Sequence, residues 1–337
     1  MKKNLLLFVL LSFCTAASAQ QRPQYTQYVF NNYLLNPAVT GIENYTDAKL
    51  GYRSQWTGLQ GAPVTSYFSI NAPIGDNFVQ GDATAFPASG GENPSSRLFT
   101  QYYRAAEPHH GIGFMIVSDK AGPITQTNID ATYAYHLGIT DQLNVSVGVS
   151  AGVSHINLNT DLITLENSND PVLNNINNSQ WKPDLGVGVW AYSSRFYFGI
   201  SAQQILPQNL YITTGNTANQ SKTVPHFFAT GGYKIFLSDD VTLLPSALLK
   251  FIDPAPVTFD VTMKLSFRDR FWFGGSFRKD DSYAVLAGFN LSSVVNVGYS
   301  YDVTTSALRT VSNGSHEIVL GILLNNRYNL KSPQHGF

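Results

Sequence analysis

The chain has 337 residues, of which 43% are hydrophobic, 13% aromatic and only 13% charged, with a formal net charge of −1. The charged share is about half of what a soluble domain carries, which argues against a soluble surface. Near-neutrality excludes the dense positive face that a nucleic-acid partner needs, and the single cysteine, Cys14, leaves no disulfide to staple the fold.

Residues 1–19 read as an export signal. Lys2 and Lys3 form the charged start, Leu5 to Phe13 the apolar run, and Ala17-Ser18-Ala19 the small residues of a cleavage site. Cleavage is expected after Ala19, and the loss of Lys2 and Lys3 then takes the net charge to −3. Cys14 is not read as a lipidation site, because the residue before a lipidated cysteine is normally small and here it is Phe13. No later stretch approaches the roughly 20 uninterrupted apolar residues of a spanning helix, so any crossing must use strands.

Residues 20–45 come next and lack alternation. Asn36-Pro37-Ala38 followed by Gly41 reads as a turn, since Pro fixes φ and Gly permits positive φ. Tyr25, Tyr28, Phe30 and Tyr33 cluster ahead of it. Four aromatics are costly to leave in water, so the segment is expected to pack inside a barrel as a plug. The alternative is a disordered periplasmic tail.

From Thr46 onward apolar and polar residues alternate with a period of two. In the clearest run, Leu143, Val145, Val147, Val149, Ala151 and Val153 alternate with Asn144, Ser146, Gly148, Ser150, Gly152 and Ser154. Val257 to Arg268 and Val295 to Asp302 repeat the pattern. Long apolar faces rich in Phe, Tyr and Val, opposite faces of Ser, Gly, Thr and Asn, favour a membrane barrel over a soluble sandwich. Candidate strands fall at 46–56, 63–72, 109–118, 124–137, 142–156, 182–192, 195–204, 224–237, 241–251, 256–267, 271–279, 282–291, 293–302 and 315–327. The expectation is an all-β transmembrane antiparallel β-barrel over residues 46–328, with about 14 strands, a plug-like N-terminal segment and a tail at 329–337.

The links sort by parity. Tight turns at Gly138–Asp141, Ser193–Ser194, Ser238–Asp240, Arg268–Arg270 and Ser292–Ser293 all follow even-numbered strands. The longer links at 157–181, 205–223 and 303–314 follow odd-numbered ones, as short periplasmic turns and longer outside loops require. The 36-residue segment 73–108 breaks the rule and would lie on the periplasmic side or fold into the lumen.

No catalytic constellation stands out, so no enzyme, cofactor or metal is expected. His109-His110 has no Cys or suitably spaced acid beside it for a metal and reads as a polar strand end. Glu317 opens the last strand, at the rim or in a salt bridge. If the apolar faces meet lipid, then Arg53, Asp260, Lys264, Arg268, Arg278 and Asp302 point inward. Their mixed signs suggest an internal network that holds a plug, not a filter for ions of one sign.

Two sets of residues carry a family likeness. Gln24-Tyr25, Asn36-Pro37-Ala38-x-x-Gly41, Arg53-x-Gln55-Trp56-x-Gly58 and Gly61-x-Pro63 stand at the start; Gly298-Tyr299-Ser300-Tyr301-Asp302, Gly314-Ser315-His316-Glu317-Ile318 and Leu320-Gly321 at the end. Tyr133-Ala134-Tyr135 and Gly274-Gly275-Ser276-Phe277-Arg278 fit between them. Taken together the chain resembles the PorP/SprF family of outer-membrane components of the type IX secretion system in Bacteroidota. The resemblance implies an occluded barrel in the bacterial outer membrane that accompanies the translocon. It also implies partners: a secreted surface protein of the adhesin or gliding type with a C-terminal sorting domain, translocon or periplasmic subunits, and outer-membrane lipid. The 73–108 segment is long for that family. An outer-membrane channel or hydrophobic-compound transporter is the alternative, and an enzyme, with Ser-His-Asp chemistry assembled in space, a third class.

Overall fold

The computed structural model describes residues 25–43, 45–75, 105–162, 178–207, 223–238, 240–253, 255–267, 270–292 and 294–324. The expected signal peptide, most of segment 73–108, Arg268 and the tail lie outside them. In chain order the strands are β1 (Thr46–Ser54), β2 (Val64–Ile74), β3 (His109–Ala121), β4 (Ile124–Thr140), β5 (Leu143–Leu158), β6 (Ser179–Tyr192) and β7 (Phe196–Gln203). They continue as β8 (His226–Tyr233), β9 (Ile235–Phe236), β10 (Val241–Ile252), β11 (Thr258–Phe267), β12 (Phe271–Arg278), β13 (Ser282–Asn290), β14 (Val295–Thr304) and β15 (Ser315–Leu324).

Apart from β8 and β9, which do not pair with each other, consecutive strands pair antiparallel, and β1 pairs with β15 to close the sheet. The two-residue β9 continues β8 beyond a break at Lys234, and both pair with β10, so the barrel has fourteen staves. The expected strand at 224–237 is thus one stave in two pieces. Closure removes all free edges, which is the condition for a sheet to sit in lipid.

Alternation places the side chains as their chemistry demands. On β5, Val147, Val149, Ala151 and Val153 face outward, while Asn144, Ser146, Gly148 and Ser150 are buried. Aromatic contacts form two bands on the outer wall. Phe227–Phe251, Phe259–Phe277 and Phe277–Tyr283 lie towards the end where odd-numbered staves finish, and Phe267–Phe271 and Phe271–Phe289 towards the other. Such girdles mark the two interfaces of a bilayer around an apolar belt. Val285, in the middle of β13, is 65% exposed between them. Replacing it by Arg places a charge in that belt and should cost about 2–4 kcal/mol near the bilayer midplane. Urea titration of the barrel refolded in liposomes measures this; an unchanged midpoint would mean that Val285 does not face lipid.

The core is inside the barrel. Residues Tyr25–Glu43 lie in the lumen, where Tyr28, Val29, Leu35, Ala38 and Ile42 pack against Trp190, Tyr192, Tyr197, Phe228, Leu244 and Leu248. A second cluster joins Tyr33 and Leu34 to Tyr67, Met115, Val117 and Val319. The inward faces of β6 to β10 therefore carry large apolar side chains, and the lumen is not uniformly small and polar. Burying them against the segment is worth about 25 cal/mol per Å² of apolar area removed from water.

Candidate functional site

The internal segment is held by its backbone. Between Asn32 and Val39 it forms two single-turn 3-10 helices, Asn32–Leu34 and Pro37–Val39. So Asn36-Pro37-Ala38 is not a simple turn: Asn36 caps the second helix by accepting from the Ala38 N–H at 2.9 Å, and Pro37 takes the first helical position, where its missing N–H costs nothing. Gly41 ends the unit with φ of +72°.

Such short turns leave carbonyls unpaired, and the barrel wall supplies the donors. Ser201 Oγ donates to the Leu35 carbonyl at 2.6 Å, Ser146 Oγ to that of Ala38 at 2.7 Å, and Gln203 Nε2 to those of Leu34 and Leu35 at 3.0 Å. In the other direction Asn36 Nδ2 donates to the carbonyls of Val189 and Ile200, and the Gly41 N–H donates to Asn71 Oδ1. His136 Nε2 lies 2.8 Å from the Thr40 carbonyl and His109 Nε2 3.2 Å from that of Gly41, the two imidazoles stacked at 4.5 Å. His109 opens β3, the polar strand end that was expected, and is also a buried anchor for the segment.

Inward-facing glycines let the segment come this close. A Cβ on Gly148 would sit 2.5 Å from both Ala38 Cα and the Pro37 carbonyl carbon. Gly41 and Gly111 meet backbone to backbone, where a Cβ on Gly41 would reach Gly111 Cα at 2.5 Å. These glycines are notches for the segment, beyond any need of barrel curvature.

One end of the segment enters a charged knot. Arg53 is 1% exposed and donates from Nη2 to Asp302 at 2.7 Å, and from Nη1 to Glu317 at 3.0 Å and to Thr26 Oγ1 at 2.7 Å. Thr26 closes the knot, its N–H donating to Glu317 at 2.8 Å and its hydroxyl to Asp302 at 2.6 Å. Beside it Arg278 binds Asp260 at 2.9 Å and Asp281 at 3.2 Å, approaches Asp302 at 4.0 Å, and donates to the Tyr25 carbonyl at 3.3 Å. Two cations and four carboxylates thus share one buried site around Tyr25 and Thr26.

Of the six charges read as inward-facing, Arg53, Asp260, Arg278 and Asp302 come together here, with Glu317, near the start of β15, joining them in a salt bridge. Lys264 is buried elsewhere, 5.4 Å over the Trp272 ring, and Arg268 lies outside the described residues. Further buried charges went unread in the sequence, among them Asp47, Lys49, Asp130, Lys182 and Asp184. Asp47 and Lys49 pair at 2.6 Å, with Lys49 5.5 Å over the Phe30 ring. Both share β1's inward face with Arg53, so the period-two rule applied to Arg53 would have found them. Among the described residues no group of three His, Cys, Asp or Glu is arranged to hold a metal.

Among solved structures, the Acinetobacter baumannii outer-membrane protein Omp33 aligns over 85% of this chain and 100% of its own, at 8% identity and a TM-score of 0.47. The CymD monoaromatic hydrocarbon channel covers 87% and 91% at 11% identity and 0.45, and a TodX monoaromatic hydrocarbon channel mutant 87% and 93% at 7% and 0.46. No curated protein matches the chain. The family described as type IX secretion system membrane protein PorP/SprF matches residues 17–322. The barrel is accordingly an outer-membrane component, and the chain belongs to the PorP/SprF family of type IX secretion membrane proteins.

Proposed function

We propose that this barrel binds a secreted surface protein through that protein's C-terminal sorting domain and supports its export or its attachment at the cell surface. The observation behind this reading is the occupied lumen. Tyr25–Glu43 is bonded to β1 to β7 on one side and to β11, β12, β14 and β15 on the other. A lumen filled and hydrogen-bonded in this way suits a rigid platform, on which loops present a protein-binding face, better than a conduit. The match to a type IX secretion membrane protein family supports partners on both faces of the membrane: cargo outside, translocon or periplasmic subunits inside.

Affinity purification of the tagged, detergent-extracted barrel, followed by mass spectrometry, tests this. Recovery of a large surface protein carrying a C-terminal sorting domain, together with translocon subunits, is the expected result. Recovery of neither would remove the platform reading. A channel or hydrophobic-compound transporter would then return as the better account.

A further inference from the structure

The direction in which the segment runs can be read from the register of β1. Thr26 meets Arg53, which stands next to the last residue of β1 and pairs with Glu317 near the start of β15. Asn31 donates to Ser69, whose partner on β1 is Lys49. The Gly41 N–H donates to Asn71, whose partner is Asp47, second residue of β1. Contacts thus descend β1 from finish to start as the segment advances from Thr26 to Gly41.

Other staves agree. Arg278 is the last residue of β12, which like β1 runs towards the long-loop end, and it holds the Tyr25 carbonyl. Tyr25 packs edge-on against Tyr67, 5.6 Å away in the first half of β2. At the opposite end, His109 opens β3 and binds the Gly41 carbonyl. The segment therefore passes through the lumen from the long-loop mouth to the short-turn mouth, and only there enters β1.

Short turns face the periplasm and longer loops face outside in barrels of this kind. We infer that Tyr25–Glu43 is threaded from the cell-surface mouth to the periplasmic mouth, so that its leading end belongs to the external interaction face and not to the periplasmic one. The Arg53–Asp302–Glu317 knot pins it there. Expected cleavage after Ala19 leaves five residues ahead of Tyr25, at most about 18 Å of extended chain. That is too short to return through a lumen about 30 Å deep. The inference places the leading end among the groups open to an external protein; this last consequence rests on the platform reading, whereas the threading does not.

The test uses an eight-residue hydrophilic epitope inserted between Gln24 and Tyr25 in the full-length protein, in cells. Two single-cysteine variants fix the sidedness, since Cys14 in the expected signal is the chain's own only cysteine. Lys279→Cys marks the β12–β13 turn at the long-loop end, where the side chain is 43% exposed, and Gln142→Cys the exposed β4–β5 turn at the other. Intact cells should bind antibody to the epitope and should label Lys279→Cys, but not Gln142→Cys, with a membrane-impermeant maleimide. Antibody binding only after the outer membrane is permeabilised would overturn the inference, as would labelling of the two cysteines in the reverse order. If the insertion prevents heat-modifiable folding, Gln24→Cys replaces it, read by the same reagent with the same two outcomes. The readout involves no partner, so threading can stand where partner recovery fails, and the reverse.

Discussion

Arg53→Met should lower the temperature at which the folded barrel converts to its unfolded electrophoretic form by roughly 10 °C. Arg53 holds Asp302, Glu317 and Thr26 at once, and all four residues are buried. Removing it leaves two carboxylates facing each other out of bulk water, and breaking a buried pair in this way costs about 3–5 kcal/mol. The acids, not the loss of arginine as such, are the source of that cost. Adding Asp302→Asn and Glu317→Gln to Arg53→Met should therefore restore much of the lost stability. Arg53→Lys should fall between, because an ammonium lacks the planar fork that reaches Asp302 and Glu317 together. The measurement is the gel shift of the unheated sample along a temperature series. An Arg53→Met barrel as stable as the parent would mean that the knot contributes nothing to holding the segment.

The second large effect concerns permeation. The parent protein in a planar bilayer should give no steady conductance, because the segment packs across the lumen. Deleting Tyr25–Glu43 should open a steady one. Gly148→Leu should give an intermediate, flickering trace. A side chain there enters the space of Pro37 and Ala38, already 2.5 Å from a bare Cβ, and overpacking of this kind costs about 1–3 kcal/mol. The segment can yield more readily than β5, which is bonded to β4 and β6 along almost its whole length. Val149→Leu, on the outer face of the same strand, is the control and should stay silent. Steady conductance from the parent would contradict an occluded lumen, and silence from the deletion would show that something other than the segment blocks the path.

How legible the barrel was follows from one physical fact. A strand sends successive side chains to opposite faces, so a sheet with lipid on one side writes itself into the chain as a period of two. Leu143 to Ser154 or Val295 to Asp302 could be sorted into outer and inner residues without any coordinates, and the fourteen staves follow from repeating that sorting. Closure required no more than an even count, with turn lengths alternating about it.

The interior was legible only in part, because inward direction says nothing about which inward residues meet. Arg53, Asp260, Arg278 and Asp302 are on the inner face by alternation, yet so is Lys264, which lies over Trp272 instead. Residues 53 and 302 become neighbours because β1 pairs with β15 and β15 with β14 at one register. The glycines carried two meanings at once. A glycine in a strand reads as curvature, whereas Gly148 and Gly111 are notches, and only the path of the internal segment distinguishes the two.

The sequence alone determined that the chain makes a barrel, since the membrane imposes its solvent pattern on every strand locally. It also determined that Tyr25, Tyr28, Phe30 and Tyr33 need shelter, since aromatic surface is costly in water wherever it lies. Only the tertiary structure decided how the segment is held, in which direction it runs and which charges hold its leading end. Those outcomes depend on contacts between residues up to 291 apart in the chain, as between Thr26 and Glu317. A local pattern can dictate a wall; the contents of the lumen are set by contacts that exist only after the wall has closed.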